Sequence, residues 1–190
     1  MKKVAVFLAD GFEEIEALTV VDVLRRAKIK CDMVSITEDL NVKGTHDILV
    51  KADRVMDDDL KEYDMLVMPG GLPGASNLAK CEKLIELIKE FNKNDEKYIA
   101  AICASPAYVL PKAGIETDRY ITSYPGEDLE KRLENASYVD ELVSVDANLI
   151  TSRGPATAML FAYKLVELLG GNPEELKEGM LYNMLMQADE

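Results

Sequence analysis

Apolar residues along the chain fall into two alternating rhythms. Lys3 to Leu8, Met65 to Met68 and Tyr98 to Ile102 are short, nearly unbroken apolar runs, the pattern of parallel strands buried on both faces. Lys30 to Ile36 reads as a further strand. Between these runs the apolar spacing becomes helical. Ile15, Leu18, Val21 and Val23 or Leu24 mark a helix over Glu13 to Ala27, and Leu84, Ile85, Ile88 and Phe91 mark another over Cys81 to Asn94. The stretch from Asn41 to Lys51 holds two short extended pieces around Gly44-Thr45-His46, a hairpin or an edge excursion. Asp57-Asp58-Asp59 reads as a solvated cap on a short helix or loop.

The second half keeps the rhythm. After Cys103, Ala104 to Leu110 suits one or two helical turns, with Pro106 tolerated in the first. Glu127 to Leu133 predicts a short acidic helix. Tyr138 to Val145 and Leu149 to Thr151 predict an antiparallel pair around the turn Asp146-Ala147-Asn148. A long helix opens after Ser152-Arg153-Gly154-Pro155, runs to Leu169 and stops at Gly170-Gly171. A last helix, Glu174 to about Gln187, carries Leu176, Met180, Leu181, Met184 and Leu185 on one face, as core or subunit-contact filler. This βαβ succession, without repeat or linker, predicts an α/β fold over 1–190 as one domain, a mostly parallel sheet with helices on both faces.

Charge narrows the function classes. The chain has 22 Lys and Arg against 35 Asp and Glu, a formal charge of −13, which repels phosphate backbones and argues against a nucleic-acid partner. The N-terminal apolar run is cut off by Asp10, Glu13 and Glu14 before it reaches signal or membrane-span length, so a cytoplasmic protein without a membrane partner is expected. Cys31, Cys81 and Cys103 are odd in number and widely spaced, which favours free thiols over a disulfide framework or a zinc site.

Of the three, Cys103 has the most telling place, at a strand-to-helix turn. There it faces the unpaired amides of a helix start, which lower a thiol pKa; the alternative is a buried, inert cysteine. Glu16 follows the first strand on a helix that leaves the carboxyl edge of the sheet, where open α/β sheets bind ligands. It reads as either a functional acid or, like Glu13 and Glu14, a solvated first-turn one. Pro69-Gly70-Gly71-Leu72-Pro73-Gly74 sets exposed amides after another strand end, as an oxyanion cradle or a plain turn, and matches neither phosphate-binding fingerprint. His46, the single histidine, is expected at a surface or interface.

Four spaced motifs, GFEEIEA (Gly11 to Ala17), VMPGGLPGASNL (Val67 to Leu78), AAICASP (Ala100 to Pro106) and LITSRGPATA (Leu149 to Ala158), resemble the ThiJ/PfpI superfamily, most closely its DJ-1-like branch. The resemblance covers essentially the whole chain. It implies a flavodoxin-like three-layer sandwich, usually a homodimer, that needs no cofactor and no metal. It makes Cys103 the easily oxidised nucleophile and Glu16 the protonated carboxyl that hydrogen-bonds its sulfur. Gly70, Gly71 and Ala104 supply backbone amides around the substrate or oxidised sulfur, and Asp22 and Arg26 lie near the dimer contact and pocket.

Two positions depart from the family pattern. Glyoxalase and deglycase relatives often carry a histidine before the proline matched by Pro125, where this chain has Tyr124, a poor base near neutral pH. The protease branch has a histidine after its cysteine, where this chain has Ala104, which argues against peptidase activity. A glutaminase needs a late histidine that is missing, and nothing supports a thiamin precursor site. The resemblance thus implies a stress-response glyoxalase or deglycase acting on methylglyoxal or its early adducts. Its alternative is a redox sensor or chaperone-like protein whose Cys103 is oxidised to sulfinate.

Overall fold

In the computed structural model, which describes residues 1–187, the apolar runs become the middle of a seven-stranded sheet. In chain order the elements are β1 (Lys3–Leu8), α1 (Glu14–Arg26), β2 (Lys30–Ser35), β3 (Asn41–Lys43), β4 (Leu49–Lys51), β5 (Arg54–Val55), β6 (Met65–Met68), α2 (Gly74–Lys80), α3 (Glu82–Asn92) and β7 (Tyr98–Ile102). Then follow α4 (Ser105–Ala113), β8 (Tyr120–Ile121), α5 (Glu127–Arg132), β9 (Ser137–Tyr138), β10 (Val143–Asp146), β11 (Leu149–Ser152), α6 (Ala158–Leu168), α7 (Pro173–Gly179) and α8 (Tyr182–Gln187). The sheet order is β10-β11-β7-β6-β1-β2-β5, parallel except for the β10–β11 hairpin. No helix of the described residues is long and apolar enough to cross a membrane.

Alternation within each strand builds two cores. Val4, Val6 and Leu8 face the layer of α1 and α6, whereas Ala5 and Phe7 face α3 and α4, and all five are fully buried. The result is the expected three-layer sandwich. Chain order reverses direction between β1 and β6, so the segments leaving β1, β6 and β7 meet over one crevice at the carboxyl edge.

Three expectations change, and one helix was not expected at all. The last helix is two, because Leu181 takes a left-handed backbone (φ 60°) just after Gly179 and ends the register. Leu176 and Met180 pack on the core, while Leu181, Met184 and Leu185 face solvent. The expected strand over Tyr138 to Val145 is broken, since Tyr138 pairs in parallel with Ile121 and only Val143–Asp146 joins β11. Helix α2 follows a glycine- and proline-rich turn and has too little apolar periodicity to stand out in the sequence. Finally, Glu13 and Glu14 are buried, because the β3–β4 hairpin folds over them.

Candidate active site

The elbow after β7 is held by main-chain bonds. Cys103 adopts φ 65°, a left-handed conformation uncommon for a side chain with a Cβ, and is kept there from both sides. Its N–H donates to Ser152 O at 3.0 Å, and its carbonyl accepts from the N–H of Tyr124 at 2.9 Å. Two residues on, the buried Ser105 hydroxyl donates to Pro69 O at 2.6 Å and ties the start of α4 to the end of β6. Ser105→Ala should therefore lower unfolding stability by about 1 kcal/mol, as a denaturant melt would read.

Glu16, on the first turn of α1, is fully buried beneath this elbow. Its Oε2 accepts the N–H of Gly70 at 2.7 Å, and its buried Oε1 has no partner within ordinary hydrogen-bond distance among the described residues, the Cys103 thiol being its longer-range neighbour. Gly70 is wedged in the pair. A Cβ there would lie 2.5 Å from Cys103 Cβ and 2.8 Å from Glu16 Oε2. Gly71 is glycine for a different reason, its φ of +83° and the backbone of Glu13 and Gly11 pressing on it.

Burial pushes the Glu16 carboxyl up to about 7, against the stabilising Gly70 amide and the Cys103 thiol, with the Glu13 charge adding to the rise. Burial also pushes the Cys103 thiol up to about 12, and the Glu16 charge and hydrogen bond act the same way. The amides of Gly71 and Ala104 oppose them. The expectation of a thiol acidified by its helix start is thus corrected. The amides are there, but burial and the neighbouring carboxylate outweigh them. The two groups titrate as a pair that holds one proton between its two steps. When that proton sits on Glu16, its charge no longer opposes the thiolate and the two amides favour it.

The structure brings Cys103, Glu16, Gly70, Gly71 and Ala104 together. Tyr124 contributes its backbone to the elbow, while its side chain is half exposed and lies beside Gly154. Asp22 and Arg26 are bonded to each other at 2.6 Å, exposed on α1 and away from the thiol's hydrogen bonds. His46 has an exposed ring but is tied to Glu14, with Nδ1 2.8 Å from Oε2. Ser105 and Ser152 were invisible as site residues in the sequence, because their role is to hold backbone. Only the placement of Ser152 in the motif before Gly154-Pro155 hinted at it.

Comparison with known proteins places the chain in a family. Residues 2–168 match the model of the DJ-1/PfpI family. The chain is 38% identical over 184 residues to protein dj-1beta of Drosophila melanogaster, covering 95% of this chain and 97% of that one. It is 37% identical over 175 residues to the glutathione-independent glyoxalase DJ-1 of Schizosaccharomyces pombe, covering 88% and 91%. It spans less than half the length of DJ-1 homologs A and B of Arabidopsis thaliana, to which it is 36% and 38% identical. Among solved structures, Drosophila DJ-1beta superposes with a TM-score of 0.88 at 38% identity, covering 95% of this chain and 98% of that one. Oxidized Toxoplasma gondii DJ-1 gives 0.87 at 32%, with the same coverage. On sequence and fold together, this chain belongs to the DJ-1/PfpI family.

Proposed function

We propose that the protein is a cofactor-independent glyoxalase, or a deglycase on early dicarbonyl adducts, with Cys103 as nucleophile and Glu16 as proton shuttle. The observation that carries this reading is the buried Glu16 carboxyl, raised to about 7 beside a thiol on a strained elbow. An acid poised near the working pH can both give and take a proton. The Schizosaccharomyces pombe relative's description as a glutathione-independent glyoxalase points the same way.

The chemistry balances without an external oxidant. The Cys103 thiolate adds to the aldehyde carbon of methylglyoxal, and the alkoxide takes the proton of Glu16, giving a hemithioacetal. The Glu16 carboxylate then removes the hydrogen from that carbon while the ketone oxygen takes up the hydroxyl proton through an enediol, and Glu16 returns its proton to the neighbouring carbon, which leaves a thioester of lactate. Water cleaves the thioester to lactate and frees the thiol. One water is consumed, and the oxidation of one carbon equals the reduction of the other. The amides of Gly71 and Ala104 face the sulfur, where the oxyanion of each tetrahedral species would develop. The test is lactate formation from methylglyoxal with no glutathione added. Production supports the reading, and none from a protein with reduced Cys103 overturns it.

A second reading rests on the lack of any histidine at the thiol, since the single one is bonded to Glu14. Without a dedicated base, Cys103 would serve as a redox sensor, its sulfinate held by protonated Glu16 and the two amides. Mild peroxide should then add two oxygens at Cys103 in the parent, while Glu16→Gln alters the yield of that state, as peptide mass spectrometry would show. A Cys103 that stays unmodified argues against it.

The protein is read as a single-domain cytoplasmic homodimer. The dimer part of that reading is supported by Ile15, an apolar side chain exposed at 56% on α1.

A further inference from the structure

The strained backbone at Cys103 is closed into a ring of contacts that passes through one loop. Its N–H is held by Ser152 O at 3.0 Å and its carbonyl by Tyr124 N–H at 2.9 Å. Both holders lead to the segment between β11 and α6. Ser152 is the last residue of β11 and opens that segment, and the Tyr124 ring lies beside Gly154 within it, where an added Cβ would stand 3.3 Å from Tyr124 Cδ2. Whatever fixes this loop therefore fixes Cys103 from both sides.

One hydroxyl does so. Thr157 Oγ1 accepts the N–H of Gly154 at 3.0 Å and that of Arg153 at 3.3 Å, and it lies 2.7 Å from Ser152 Oγ. The Ser152 hydroxyl donates to Leu142 O at 2.7 Å, so its one hydrogen is committed and it accepts from Thr157. The Gly154 carbonyl, 3.0 Å from the same Thr157 hydroxyl, already accepts the Thr157 N–H at 2.9 Å. Thr157 Oγ1 thus accepts from two amides and donates once, which is its full capacity. The chain of donors runs from the Gly154 amide through Thr157 and the fully buried Ser152 to Leu142 O. Ser152 is clamped by its side chain while its carbonyl holds Cys103.

We propose that Thr157 is a positioning residue for the nucleophile, holding the Cys103 elbow in its left-handed conformation through Ser152 and Tyr124. The inference rests on Cys103 as the reacting group, whether it turns over a dicarbonyl or is oxidised. A residue with a Cβ has no preference of its own for φ 65°, so the surroundings must impose it. In that conformation the sulfur meets the amides of Gly71 and Ala104, which favour the thiolate. Without the Thr157 hydroxyl the amides of Arg153 and Gly154 lose their acceptor, and the loop shifts to find another. Ser152 O and Tyr124 then move away from Cys103, and the sulfur loses its two amides and its fixed distance from Glu16.

The experiment is the pH profile of Cys103 alkylation by iodoacetamide, followed on its own peptide by mass spectrometry so that Cys31 and Cys81 do not interfere. Thr157→Val keeps the branched shape and removes the hydroxyl, whereas Thr157→Ser keeps the hydroxyl. Valine should move the profile up by about one pH unit, a roughly tenfold slower reaction at a fixed pH on its rising limb. It should also lower kcat for lactate by roughly 10²-fold with little change in KM. Serine should restore the parent's profile. Thr157→Ala, which removes the hydroxyl without placing a methyl group against Ser152 Oγ, should act as valine does and replaces it if the valine variant does not fold. A lowered melt with an unmoved alkylation profile overturns the proposal, and so does a serine variant that behaves like valine. Absence of lactate from a parent whose alkylation profile responds to Thr157 overturns the glyoxalase reading alone.

Discussion

Glu16→Gln is expected to lower dicarbonyl turnover by roughly 10²–10⁴-fold while making the protein more stable at pH 8. Glutamine keeps an oxygen for the Gly70 N–H but cannot carry a proton between carbon atoms. The stability gain follows from the direction of the Glu16 shift. Its folded value of about 7 lies above the ordinary 4.5, so the folded state holds more protons than the unfolded chain between those two pH values. Stability is therefore full below about 4.5 and declines as pH rises to about 7, by on the order of 3 kcal/mol. Glutamine has no such charge to bury. Denaturant melts of parent and variant should nearly coincide at pH 5 and separate at pH 8, with the variant the more stable. The parent's turnover should climb with pH through about 7 as the pair loses its first proton, and this step should vanish in the variant. A Glu16→Gln protein that is as active as the parent, or less stable at pH 8, would show that Glu16 is not the poised acid.

Gly70→Ala is expected to be nearly as damaging, for steric reasons alone. The added methyl would stand 2.5 Å from Cys103 Cβ, 2.8 Å from Glu16 Oε2 and 3.0 Å from the Ala104 amide nitrogen. Two of these neighbours cannot swing aside, since one belongs to the elbow backbone and the other is bonded directly to it. Overpacking of this kind costs about 1–3 kcal/mol. A displacement of about 1 Å between nucleophile and proton shuttle lowers the rate by about 10²-fold. The melt and the activity should thus both fall, activity by the larger factor. Retained activity with a lowered melt would mean that the pair tolerates being moved.

Much of this site can be read from the chain. Strands β1, β6 and β7 stand out because burial on both faces demands unbroken apolar runs, and a parallel sheet places the residues just after them at one edge. Cys103, Glu16 and Gly70 sit in those positions, and the family motifs name the same residues. The direction of the Cys103 shift was not legible, because it depends on how deeply the elbow is buried and on how close Glu16 comes to it. Burial of Glu13 and Glu14 was equally hidden. It arises from a hairpin some thirty residues away in the chain, anchored by Thr45 N–H to Phe12 O at 2.8 Å, and no local pattern in the sequence announces that contact. The break between α7 and α8 runs against a continuous apolar face, because one left-handed residue overrides the periodicity around it.

The central claim is that Cys103 does covalent chemistry on a dicarbonyl, and the most direct measurement compares lactate formation from methylglyoxal by the parent and by Cys103→Ser. Both would be freshly reduced, freed of small thiols and matched by circular dichroism. The account predicts steady lactate production by the parent and none above the buffer background by the serine variant. Equal production by the two proteins would contradict it.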